Sequence, residues 1–242
     1  TLGIGERAGL DLGDGFRLTP SLDALRPVRD AGRLAILHAV GSGDATRSHF
    51  EAMTAMERGA HREGEGPPGG WIARHLLSTP GDAPLRAVAV GSVLPDSFRG
   101  GPAPVLLERI DDYRLDVSEG FLGELRALHA DRSPLAVAGR RTLDALDSVR
   151  SLKGDPGFPD TGLGRGLSQV SALAKAGVGL EIATLDLGLW DTHAGQGPWI
   201  DRLLGELGGA LAAFDRSLGD ARKRVTTVVM SEFGRRIEEN AA

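Results

Sequence analysis

A chain of 242 residues with 41% hydrophobic and 25% charged side chains has the composition of a globular protein and the length of one large domain, with no compositional break to argue for two. Its net charge of -5, with both signs interspersed, leaves no basic stripe and argues against a nucleic-acid partner. The absence of cysteine excludes disulfides, thiolate metal sites and a cysteine nucleophile without fixing the compartment, and no apolar run approaches the ~20 residues needed to span a bilayer.

In chain order, residues 10–15 are Gly- and Asp-rich and predict a turn leading to Thr19, Pro20 and Ser21. Leu22, Leu25 and Val28 recur at helical spacing with Gly32 as the stop, so a short amphipathic helix is expected. Residues 33–40, RLAILHAV, predict a strand feeding the polar loop at 41–44, with His38 as a core histidine. The next stretch, ATRSHFEAMTAMERG over 45–59, predicts a helix. Thr46 or Ser48 serves as N-cap, Glu51 completes a capping box with Ser48, Phe50, Met53 and Met56 form the stripe, and Gly59 ends it. A hydroxyl at that helix N-terminus also faces oriented N–H groups and the positive end of the dipole, which favours an anion or an activated alkoxide. Plain capping accounts for one hydroxyl but leaves Thr46, Arg47, Ser48 and His49 together unexplained, so both readings stand.

Residues 61–70 have the composition of an exposed loop, and 71–77 predict a short helix with Trp71, His75 or Leu76 turned inward. A second strand is expected over 85–94, ending at Pro95, Asp96 and Ser97. From 116 to 175 the pattern is helical, in three stripes: Phe121, Leu122, Leu125 and Leu128; Leu143, Leu146 and Val149; Leu163, Leu167, Val170 and Leu173, closed by Gly177.

The chain is organised around residues 178–197, VGLEIATLDLGLWDTHAGQG. Val178, Leu180, Ile182, Leu185 and Leu187 predict a buried strand, and Asp191, Thr192, His193 and Gln196 follow at its carboxyl end, where open α/β sheets keep their sites. Side chains two apart in extended chain point the same way, so Asp191 and His193 can address one point. Such a pair suits a divalent metal, or a base with its orienting acid, or simply a strand cap. A long packing helix follows from Trp199 to Leu218, and residues 225–230, VTTVVM, predict a last strand ending in Ser231, Glu232, Phe233 and Gly234. Four strands alternating with helices predict an α/β fold: a doubly wound, mostly parallel sheet with helices on both faces. Three of the four strand ends carry candidate site residues. Phosphate-loop, hydrolase-elbow and zincin motifs are absent from the sequence.

Three blocks, LAILHAVGSGDATRSHFEAMTAMERG, LDLGLWDTHAGQG and VVMSEFGRRIEEN, together resemble the bacterial family known as domain of unknown function 1501, within the alkaline-phosphatase and sulfatase superfamily. That resemblance covers nearly the whole chain and implies an alkaline-phosphatase-like α/β domain spanning 1–242, incomplete at both ends. Relatives begin with an apolar strand and a Gly-Gly-x-Asp-Gly-like segment, and continue past the Glu-Asn segment into Gly-Thr-Asp-His-Gly. It implies a metal-dependent hydrolase of phosphate or sulfate esters, with a small-molecule ester as substrate and zinc, manganese, calcium or magnesium as cofactor. Thr46, or second Ser48, corresponds to the nucleophile, and Arg47 and His49 flank it; Asp191, His193 and Glu232 correspond to metal ligands. Phe233 stands where the superfamily has a histidine ligand, and a phenyl ring cannot coordinate a metal. The alternative is therefore a non-catalytic exported or envelope-associated binding protein with a degenerate metal site. Many family members resemble exported proteins, so a periplasmic or extracellular location is expected.

Overall fold

Asp14 and Gly15 take φ of +50° and +80°, the two left-handed positions of a tight hairpin turn, and so join β1 (Leu10–Gly13) to the antiparallel β2 (Phe16–Leu18). The computed structural model describes residues 8–43, 45–62, 64–113, 115–193 and 196–234. A 3-10 turn over Pro20–Leu25 runs into α1 (Arg26–Asp30), which stops before Gly32 at φ +68°. There follow α2 (His49–Arg58), α3 (Trp71–Ser78), β3 (Ala87–Val90), β4 (Val105–Leu107), α4 (Glu119–Leu128), α5 (Pro134–Val149), α6 (Gly162–Ala176), β5 (Ile182–Leu185) and α7 (Gln196–Leu218). Four of these helices start on a hydroxyl cap: Ser48, Ser118, Ser133 and Thr161 each accept the backbone N–H three residues on. Both α2 and α6 end on a left-handed glycine, Gly59 and Gly177.

The main sheet has the order β4-β3-β5, all parallel, with Val88 opposite Val105 on one side and Ala183 on the other. The two-residue period of β3 divides the core between its faces. Ala87 and Ala89 pack with Ile72 and Leu76 of α3 and with Phe98, while Val88 packs with Leu107, Val149 of α5 and Leu173 of α6. Helices thus pack on both faces of this parallel sheet. On the α6 side, Leu163, Leu167 and Val170 meet Ala210, Phe214 and Leu218 of α7, the partly buried Leu185 and Leu187 packing against them. Full burial of such side chains stabilises by about 1.5–3 kcal/mol each. No helix among the described residues is long and apolar enough to cross a membrane.

Several elements depart from the sequence expectation. Residues 33–40 and 225–230 lie outside any sheet ladder among the described residues, and Leu37, Val40 and Val228 are 83%, 73% and 70% exposed. β-branched composition says that a segment suits a pleated surface, but a ladder also needs a neighbouring backbone. In the first run Ala39 at φ +55° interrupts extended chain as well. His38 is exposed rather than in the core and stacks on Phe16 with ring centroids 3.9 Å apart. The strands expected over 85–94 and 178–187 are trimmed to four residues each, and β4 was too short to read from periodicity. In α3 it is Ile72, Ala73 and Leu76 that turn inward, with Trp71 and His75 outward. The stripe of α4 buries no residue fully.

Candidate functional site

The site is built where three chain segments end near one another: the start of α2, the segment after β5, and residues 231–234. At the first, Arg47 adopts φ +61°, a strained conformation for a residue with a Cβ, and turns the chain so that extended Ser48 caps α2. Ser48 Oγ accepts the Glu51 N–H at 3.4 Å, and Thr46 Oγ1 accepts the Ser48 N–H at 3.1 Å. Both hydroxyl oxygens therefore serve the local turn: Ser48 is the N-cap as expected, but its own N–H goes to Thr46 rather than to the Glu51 side chain, so only half of the expected capping box forms. Thr46 and Arg47 are exposed. His49, the first residue of α2, is 35% exposed at its side chain.

Beyond β5, Leu187 remains in the α6–α7 core and Leu189 makes a left-handed turn at φ +72°. The chain then delivers Asp191 and His193, whose side chains meet as their two-residue spacing predicts: His193 Nε2 lies 2.8 Å from Asp191 Oδ1. The same carboxylate stands 3.3 Å from His49 Nε2. From the third segment, Glu232 Oε1 lies 2.7 Å from His49 Nδ1. Phe233 packs on the same imidazole, ring centroids 4.6 Å apart and tilted by 46°. Ser231 fixes this segment by donating its hydroxyl to the Phe233 carbonyl at 2.9 Å.

His49 is the hub. Its hydrogen bond to Glu232 holds the imidazole above its ordinary pKa, partial burial opposes that, and the Asp191 charge adds to it. Of the seven candidates, the fold brings His49, Asp191, His193 and Glu232 into one chain of contacts, with Thr46, Arg47 and Ser48 on the turn that enters it. Glu232 reaches the cluster only through His49, on the ring edge away from Asp191. The pairing of His49 with Glu232 spans 183 residues, and no local pattern in the sequence signals it.

Imidazole nitrogens with carboxylate oxygens are the donor chemistry of a divalent ion such as zinc. Among the described residues no three His, Asp or Glu side chains already stand around one point as a cage. The donor types fit such an ion, and the His193 and Asp191 side chains are 80% and 53% exposed. Without an ion, the same carboxylate–imidazole–carboxylate chain can take up and release a proton.

Residues 165–242 match the model of a family described as "Protein of unknown function (DUF1501)". The match takes in α6 from Arg165 onward, β5 and α7 together with Asp191, His193 and Glu232, and leaves His49 outside it. No curated protein and no solved structure matches the chain.

Proposed function

We propose that the chain forms a metal-dependent hydrolase site for a phosphate or sulfate ester, within a single doubly wound domain of the alkaline-phosphatase and sulfatase type. The observation that carries this reading is the convergence of His49, Asp191, His193 and Glu232 from three segments beside a hydroxyl-bearing helix N-terminus. Asp191 and His193 would hold a divalent ion, with Glu232 as the third member of the set. When bound, the ion lowers the pKa of the attacking hydroxyl and neutralises charge on the transferred group. Thr46 Oγ1, or Ser48 Oγ, attacks phosphorus or sulfur as the bond to the leaving oxygen breaks. The exposed Arg47 pairs with the anion's equatorial oxygens, and the N–H groups at the start of α2 face the same charge. The hydroxyl proton passes to solvent, the leaving oxygen takes one back from it, and water then releases the group. The resemblance also favours an exported protein.

The test is turnover of aryl phosphates and aryl sulfates with each candidate metal, for the natural chain and for Thr46→Ala and Ser48→Ala. Loss in one variant with folding intact identifies the nucleophile; unaltered rates in both dispose of a hydroxyl mechanism. A second reading, a binding protein without turnover, is favoured by Phe233, whose ring covers one side of His49. Metal retention with no hydrolysis of any ester is its expected signature.

A further inference from the structure

We infer that His49, rather than Glu232, is the third protein ligand of the divalent ion, and that Glu232 is a positioning residue acting through His49. This rests on the metal-site reading above. Metal bonds to nitrogen and oxygen are about 2.0–2.2 Å long, so two ligand atoms on one ion stand about 3.0–3.5 Å apart at tetrahedral to octahedral angles. Asp191 Oδ1 lies 3.3 Å from His49 Nε2, within that range, and 2.8 Å from His193 Nε2, a hydrogen-bond distance just short of it.

Glu232 stands differently. Its Oε1 contacts Nδ1, the nitrogen on the other edge of the His49 ring, at 2.7 Å. To share an ion with Asp191 it would have to release His49 and pass a ring that Phe233 packs against at 4.6 Å. A carboxylate on the non-ligating nitrogen of a histidine is how metal sites fix the tautomer: Nδ1–H donates outward and the Nε2 lone pair faces the ion. The backbone supports the same assignment. His49 is the first residue of a capped helix, a rigid mount, with Arg47 already turned at φ +61° to deliver it. Two imidazoles and one carboxylate leave a coordination position for a substrate oxygen, as catalytic sites require.

The test is a titration of the 242-residue chain with Co(II), followed by its visible absorption, and with Zn(II) by chelator competition. Wild type takes up one ion. Asp191→Asn, His193→Asn and His49→Asn each weaken binding by ~100-fold or more, whereas Glu232→Gln weakens it by about 10–100-fold and keeps the cobalt band shape. Far-UV circular dichroism melts of the metal-free variants confirm folding. If His49→Asn does not fold, the X-ray absorption spectrum of the zinc-loaded wild type decides: two coordinated imidazoles support the assignment and one overturns it. Glu232→Gln losing the ion while His49→Asn binds like wild type also overturns it, and leaves the metal reading standing with Glu232 as ligand. A wild-type chain that binds no ion removes both.

Discussion

Asp155 ties the loop before α6 to the far ends of α6 and α7, with Lys175 Nζ 2.5 Å and Ser217 Oγ 2.8 Å from its Oδ2. Burial works against its charge, but Lys175, Ser171 and Ser217 together outweigh burial and hold the carboxyl below its usual range. A folded-state pKa below the unfolded value of about 3.9 stabilises the fold above that pH, and the contribution is lost as pH falls through the folded value. Asp155→Asn is therefore expected to lower stability by about 1–3 kcal/mol at neutral pH and by less at a pH well under the unfolded value. Urea midpoints at the two pH values check this, and an equal loss at both would contradict the charge argument. Arg47 is a second residue where conformation and chemistry compete. Glycine tolerates φ +61° without a Cβ clash, so Arg47→Gly should raise the melting temperature while removing the cation proposed to pair with an ester's anion.

At the scale of elements, Ser48 is the α2 cap and a proposed nucleophile, and substitution can part the two. Ser48→Ala removes the α2 cap and is expected to cost about 1 kcal/mol, whereas Ser48→Asn keeps an acceptor for the Glu51 N–H and should melt like wild type. If Ser48 is the nucleophile both variants lose turnover; if Thr46 is, the Asn variant keeps it. Gly70, which caps α3, is constrained more tightly. A Cβ there would stand 2.0 Å from the Ser97 carbonyl oxygen and 2.3 Å from that of Asp96, backbone atoms that no rotamer change can move. Gly70→Ala should cost about 1–3 kcal/mol by thermal melt, while Gly123→Ala in α4, with nothing within 4 Å, should stabilise by up to about 1 kcal/mol. The helices were legible because their signals are local: Ser48 and Gly59 bound α2, and Gly177 ends α6. Strands were legible only in part. β3 and β5 lay inside longer apolar runs, but whether a run joins a ladder depends on a backbone far away in sequence.

At the scale of the whole molecule, two such runs stand without ladders among the described residues. Residues 225–230 hold no charge, Pro or Gly, and five of the six are β-branched, the composition of a segment that templates pairing between chains. Because Val228 is 70% exposed, Val228→Lys should reduce light scattering at high protein concentration and leave the melting temperature unchanged. A lowered melting temperature would mean that the valine is packed. The same dependence on distant partners limited the reading of the site. Asp191 and His193 could be paired by their spacing, and Thr46 to His49 stood out as a polar group entering a helix. That His49 would join Asp191 to Glu232 depends on how the sheet and α7 lay out the intervening chain, which no window of residues contains.

The placement of His49 also orders events in time. Its contact with Glu232 closes a loop of 183 residues, while α2 itself is set by neighbours three and four positions apart. Helices form on local contacts before such a closure is rewarded, so the cluster is expected to form late. Substitutions at His49 or Glu232 that weaken the fold should then hasten unfolding and leave the refolding rate nearly untouched.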